Sequence, residues 1–208
     1  MANTNSDSHS EPKSDPVSEP ISLRDNFLIA MPGMLDPTFS GTVVYVCEHS
    51  ESGALGLVVN RPTDLTLETL FKRIDLHLEI APLAAEPVYF GGPVQTERGF
   101  VLHETVADEY SSSVQVTEAL RLTTSKDVLE AVSSGQGPQR MLITLGYSGW
   151  GAGQLESEIA ANGWLTVKAG ARVANRILFD TPVDARYTEA VKLLGFDPFM
   201  LSGDAGHA

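Results

Sequence analysis

The chain has 208 residues, 42% of them hydrophobic, which suits one globular domain with or without a tail. Its longest apolar runs, such as Gly41 to Cys47, are too short to span a bilayer, and Met1 to Pro20 lacks the apolar stretch of a secretory signal. The lone cysteine, Cys47, cannot form an intrachain disulfide, so these features together point to a cytoplasmic protein with no membrane segment.

The formal net charge is −13. Four acids against Lys13 leave residues 1–20 at −3, so residues 21–208 carry −10. Nucleic-acid affinity rests largely on cations that neutralise phosphates. Only Lys72 and Arg73 form an adjacent basic pair, so the charge argues against direct nucleic-acid binding.

Residues 1–20 are rich in Ser, Glu, Pro and Asp and cannot bury enough apolar surface to offset ordering. They read as a disordered acidic tail, with a single domain over 21–208. Phe27 to Met31 reads as a strand ended by Pro32-Gly33. Thr42 to Glu48 is β-branched and apolar on both faces, the signature of a central strand. Ser50 to Gly53 turns the chain, and Ala54 to Asn60 returns as the second arm of a hairpin. Asp64 or Thr66 caps a short helix through Phe71 and Ile74.

Val88 to Phe90 and Gly99 to His103 read as short strands around the turn Gly91-Gly92-Pro93, and Ser113 to Val116 as another. Thr124 begins a helix that places Asp127 in its first turn, and Gly135 ends it. Met141 to Leu145 is a buried strand running into a glycine-rich turn, Gly146 to Gly153, and a helix follows to Ala161. Trp164 to Val167 and Arg176 to Phe179 read as strands. Thr181-Pro182 opens a last helix that Gly195 closes. Short strands mixed irregularly with three or four helices argue α+β, not a doubly wound sheet.

Several blocks together carry a family resemblance. They are Phe27-Leu-Ile-Ala-Met-Pro32, Val43-Val-Tyr-Val-Cys-Glu-His49, Gly56-Leu-Val-Val-Asn-Arg-Pro62, Val88-Tyr-Phe-Gly-Gly-Pro93 and Arg98-Gly-Phe-Val-Leu-His103. The longest is Leu145-Gly-Tyr-Ser-Gly-Trp-Gly-Ala-Gly-Gln-Leu-Glu156, and Leu194 to Pro198 and Leu201 to Ala208 also fit. Over residues 25–208 the chain resembles the YqgE/AlgH family. The resemblance implies an irregular α+β fold, with a coiled and branching, mostly antiparallel β-sheet flanked by helices. It also implies a bacterial cytoplasmic protein labelled a transcriptional regulator, with no established activity, cofactor or catalytic residue. Ser148 and Tyr187 depart from the alanine and tryptophan common in the family. The first speaks against a catalytic Ser148, and the second reads as a change of packing.

Cys47, Glu48 and His49 end a strand, a position from which side chains reach a site. Strand alternation puts Cys47 and His49 on one face and Glu48 on the other. A reactive thiol beside an imidazole is one reading, but a buried structural cysteine is favoured. Cys47, His49 and His103 make a weak metal-ligand set. His77 and His207 have no partner at ligand spacing. Gly146 to Gly153 is neither a P-loop nor a dinucleotide fingerprint, and Trp150 stands where a nucleophile elbow needs glycine. In the helix to Ala161, Ala152, Leu155 and Ile159 share a core face, with Gln154 and Glu158 on one flank and Glu156 on the other. Arg61 and Arg98 are candidates to pair with these carboxylates or with Glu48.

No metal, cofactor or catalytic residue is assigned, and the balance leans away from an enzyme. The candidate binding set is Cys47, Glu48, His49, Asn60, Arg61, Gly92, Arg98, His103 and Glu156, for a protein or small-molecule partner of unknown identity. The charge balance predicts no sequence-specific electrophoretic mobility shift at physiological salt. A specific, salt-resistant shift would contradict it.

Overall fold

The computed structural model describes residues 22–195. The expected acidic tail, the domain start at Ile21, His207 and the closing blocks from Phe196 onward lie outside the described residues. Ten strands form one branched sheet: β1 (Asn26–Ala30), β2 (Val43–Ser50), β3 (Gly53–Val58), β4 (Pro62–Thr66), β5 (Pro87–Phe90), β6 (Val94–Glu104), β7 (Ser113–Gln115), β8 (Leu120–Thr123), β9 (Met141–Gly151) and β10 (Trp164–Lys168). Five α-helices accompany them: α1 (Leu67–Arg73), α2 (Lys126–Ser133), α3 (Gln154–Ala160), α4 (Ala171–Asn175) and α5 (Arg186–Lys192). The protein is α+β, with a more extensive sheet than its sequence suggested.

The main path runs β10-β1-β2-β3-β9-β6-β8-β7 with antiparallel pairing throughout. A branch leaves at β9, where β5 pairs in parallel through Tyr89–Thr144 and Phe90–Leu145, and β4 then pairs with β5. The hairpin of β2 and β3 forms as expected, and β2 sits between β1 and β3 with both faces buried. Phe27, Ile29, Tyr45 and Leu57 enter a core shared with Ile177, Leu178, Ala190 and Val191 from the C-terminal helices. Leu28, Val44, Val46 and Val58 enter a second core on the opposite face, with Trp150, Leu155 and Trp164. A third packs α1 and α2 on the β5, β6 and β9 region.

Three expectations change. The glycine-rich segment from Gly146 is strand through Gly151, because its glycines serve close backbone contact and not reversal. A Cβ on Gly92 would lie 2.2 Å from the Tyr147 carbonyl carbon, and one on Gly146 would lie 2.4 Å from the Gly92 oxygen. Both also have positive φ, at +149° and +72°. Arg176 to Phe179 is not a strand but a π-helical turn, Arg176–Asp180, that continues α4. Its Ile177-Leu178 pair is apolar enough for either state, and the hydrogen bond from Thr181 N to the Arg176 carbonyl closes the wide turn. Finally, β4, with no strong alternation, and β8, whose Leu-Arg-Leu-Thr alternation is only four residues long, are recruited by their neighbours β5 and β6.

Helix α3 is too short to be stable alone, so tertiary contacts hold it. Leu155 is buried, Ile159 packs against the second core and Gln154 donates to Glu158 at 2.9 Å, matching the expected faces. Ala152 instead lies before the helix and is exposed. Glu158 Oε2 accepts the indole N–H of Trp150 at 2.8 Å and of Trp164 at 2.9 Å. One carboxylate thereby ties α3 to the last residues of β9 and the first of β10. Hydrogen bonds to a charged acceptor are the stronger kind. Glu158→Ala should cost about 2–3 kcal/mol, since it leaves two sheltered donors unpaired. Glu158→Gln should cost less. Urea unfolding followed by tryptophan fluorescence measures both.

Candidate functional site

A β-bulge decides what the Cys47-Glu48-His49 strand end presents. In the β2–β3 pairing, Val46 faces Gly56 and Glu48 faces Leu55, so Cys47 is the extra residue. A bulge resets the two-residue alternation beyond it. Cys47 keeps the face of Tyr45, joins the first core and is fully buried, while beyond the bulge Glu48 shares the face of Leu55, which packs against that same core. His49 falls on the opposite face, beside Ala54 and α3. The expectation that Cys47 and His49 share a face is thus overturned. Burial, with a smaller contribution from the Glu48 charge, raises the Cys47 thiol far above its ordinary value, so it stays protonated.

His49 is fixed at both ring nitrogens. Nδ1 accepts the Leu23 backbone N–H at 3.1 Å, which leaves Nε2–H to donate to Glu156 Oε1 at 2.8 Å. A backbone donor thus selects the tautomer, and the side chains of β2 and α3 are brought together as a pair. Asn60 and Arg61 serve the backbone instead. Asn60 accepts from Val43 N at 2.8 Å and donates to the Gly41 carbonyl at 2.9 Å. Arg61 donates to the carbonyls of Pro37, Thr38 and Ser40. Together they clamp the approach to β2. Gly92 is buried at the backbone crossing, and Ser148 is buried with its hydroxyl donating to the Gly91 carbonyl at 3.1 Å. Tyr187 packs as anticipated, half-buried with its hydroxyl on the Ala30 carbonyl at 2.9 Å.

Arg98 donates to Thr124 Oγ1 at 2.8 Å and stands over the Phe100 ring at 5.7 Å. Neither Arg61 nor Arg98 forms an ion pair with a described carboxylate, contrary to expectation, because backbone carbonyls and Thr124 occupy them. The proposed metal set also comes apart. Cys47 and His49 face opposite ways, and His103 is buried at a strand pairing with β8 and β9. Among the described residues, no group of three or more His, Cys, Asp or Glu is placed to hold a metal ion. Nor is any described helix long and apolar enough to cross a membrane.

The candidate residues that do converge are Glu48, His49, Glu156 and Arg98. Two adjoining surface depressions, about 640 Å³ and 360 Å³, share Glu48, Leu55, Val114 and Tyr147. His49 and Arg24 line the larger, and Arg98 and Phe100 the smaller. The result is one trough with apolar walls and charged groups along it. Its far wall is fixed by Asp127, which accepts the N–H and hydroxyl of Ser111, each at 2.7 Å. Burial works to raise the Asp127 carboxyl, but hydrogen bonds from Ser125, Ser111 and Val128 outweigh it and hold it down at about 2. Leu55, Val114 and Tyr147 escaped sequence reasoning. Only Tyr147 lay in a segment already singled out.

The AlgH-like family model (DUF179) matches residues 27–199. This chain belongs to the AlgH-like family. It is 65% identical over 188 residues to a UPF0301 protein of Paraburkholderia phymatum, spanning 90% of this chain and 96% of that one. A UPF0301 protein of Burkholderia thailandensis is 66% identical over 189 residues, with the same coverage. The solution structure of the AlgH protein from Pseudomonas aeruginosa superposes with a TM-score of 0.72 at 45% identity, covering 95% of this chain and all of that one. A crystal structure from Corynebacterium diphtheriae, at 20% identity and a TM-score of 0.55, covers 72% of this chain and 77% of its own and shares the fold.

In this AlgH-like chain, His103 is a structural histidine. Nδ1 lies 2.8 Å from the Glu104 carbonyl, which can only accept, so Nδ1 carries the proton and Nε2 accepts from Thr123 at 2.8 Å. Burial lowers the tendency of the ring to protonate, with Arg121 adding to the effect against Glu104. A histidine depressed in the folded state contributes stability above its unfolded value of about 6.5, and that contribution is lost as pH falls. Unfolding free energy should therefore decline below about pH 6.5, by up to about 1.4 kcal/mol per pH unit from this group. Chemical denaturation of His103→Gln against wild type across pH 5 to 8 should show a flatter profile for the variant.

Proposed function

We propose that this AlgH-like protein is a non-enzymatic interaction protein that holds an extended segment of a partner protein in the trough beside Glu48. Any effect on gene expression then passes through that partner, without contact to DNA. The observation that carries this reading is the continuity of the trough. Two open depressions meet at Glu48, Leu55, Val114 and Tyr147, giving a long groove rather than an enclosed chamber. Its sides combine apolar, polar and charged groups, the composition that a peptide with both kinds of side chain requires. Val114 is 44% exposed on β7, the terminal strand of the sheet path.

The roles found for Cys47, Asn60, Arg61 and His103 favour binding over catalysis, since each is engaged in holding the fold. The charge of −10 on residues 21–208 supports a protein partner over a polyphosphate one. A single buried thiol is consistent with work in the reducing cytoplasm.

A photo-crosslinking residue placed at position 114 should capture a discrete partner in cells, while one at Glu130, exposed on α2, should not. In the reconstituted complex, Val114→Asp and Arg98→Glu should each weaken binding about tenfold, as loss of a central contact does. Equal capture from both positions, or unchanged affinity for both variants, would reject the trough as the interface.

A further inference from the structure

A third depression, of about 340 Å³, lies at the other end of β9, where Met141, Leu142 and Ile143 help line it. Volumes of this order hold small ligands. Leu67, Leu83 and Leu178 add apolar wall. The polar content is more unusual. Arg186, at the start of α5, lines the cavity and is only 5% exposed. Its guanidinium donates from Nε to the Thr181 carbonyl at 3.1 Å and from Nη1 to the Val59 carbonyl. Its central carbon lies 5.1 Å from the centre of the Tyr89 ring. Yet no carboxylate among the described residues lies within ion-pair distance of it.

A buried cation without a counter-charge is costly. Carbonyl dipoles, the Tyr89 side chain and the charge of nearby Glu86 offset part of that cost, and the two carbonyl bonds use two of five donors. Arg140, on the same cavity, differs in being bound to Asp180. Glu86 also lines the cavity, is exposed, makes no ion pair among the described residues, and favours the charged form of Arg186 through space. The four charged groups around the space thus sum to zero, and Arg140 and Asp180 already satisfy each other.

We propose that this cavity is a binding site for a small monocarboxylate with an apolar body, its carboxylate on Arg186 and its body against Leu67, Leu83, Ile143 and Leu178. A guanidinium presents planar paired donors that match a carboxylate. Arg186, with no carboxylate among the described residues within ion-pair distance, suits one negative charge, and the Glu86 and Asp180 carboxylates oppose a dianion. The site is separate from the trough, so trough variants leave it intact.

The test is titration of the isotope-labelled full chain, followed by amide NMR shifts, with benzoate and octanoate. Benzamide serves as the neutral counterpart and phenyl phosphate as the dianionic one. One or both carboxylates should give saturable shifts around Tyr89, Met141 to Ile143 and Leu178, while benzamide gives none. Glu86→Gln, which removes a repelling charge, should tighten binding about two- to fivefold. Leu83→Trp, which fills the cavity from a half-buried position, should abolish binding in a protein that still melts cooperatively. Arg186→Met should abolish it too, and if that variant fails to fold, Leu83→Trp and Glu86→Gln still decide the matter. Absence of saturation by both carboxylates, equal shifts from benzamide, or tighter binding of phenyl phosphate would each overturn the assignment.

Discussion

Strand β9 can serve two neighbours on one side only because backbone meets backbone where Gly91-Gly92 crosses Gly146 to Ser148. Its first half runs between β5 and β6, and its second half pairs with β3. The switch requires atoms to approach where any Cβ would overlap, and the glycines supply that room. The hydrogen bonds of the crossing confirm the arrangement: Gly91 N donates to the Leu145 carbonyl, and Val58 N donates to the Gly91 carbonyl. Removing that space would separate the branch carrying β5 and β4 from the main sheet. The third core, under α1 and α2, would lose its floor with it.

The bulge at Cys47 has a comparable reach on a smaller scale. Without it, simple alternation would put Glu48 on the face of Val46 and α3, and His49 on the first-core face with Tyr45 and Cys47. With it, an apolar thiol fills the first core, a carboxylate stays at the edge of the trough, and an imidazole reaches Glu156. The bulge thus separates three adjacent residues into three environments. Ordinary two-residue periodicity contains no signal for an inserted residue, which is why sequence reasoning put Cys47 and His49 together.

Much of the framework was nevertheless legible. The β2–β3 hairpin, the double-sided burial of β2, the Thr66 cap, a helix beginning next to Thr124 and the flanks of α3 all follow from local pattern, and local pattern survived folding. Failures occurred where tertiary contact overrides a local cue. Gly146 and Gly149 look like a turn unless their partner at Gly91-Gly92 is known. Ile177-Leu178 suits strand or helix alike, and the C-terminal core decided it. β8 and β4 exist because β6 and β5 offer them hydrogen-bonding edges. The candidate site suffered the same way. Its polar members stand at strand ends, but Leu55, Val114 and Tyr147 become one surface only when the folded sheet brings β3, β9 and β7 around the same trough.

Arg186 is the extreme case. In sequence it is one arginine among helix-forming residues, and amphipathic reasoning would send it to solvent. In the fold it is enclosed by Tyr89 and by the carbonyls of Val59 and Thr181, contributed by distant parts of the chain. A hydrophobic residue of similar volume would avoid the desolvation cost, and exchanges of that kind are often neutral or stabilising. Tethering α5 to the end of β3 is a role that Arg186 does fill, but neutral donors would serve two backbone carbonyls as well. A permanent charge beside the cavity adds one thing a neutral donor does not: a preorganised counterpart for a negative group, already largely stripped of water. A buried guanidinium with no direct ion-pair partner is the strongest physical reason to regard the cavity as more than a packing defect.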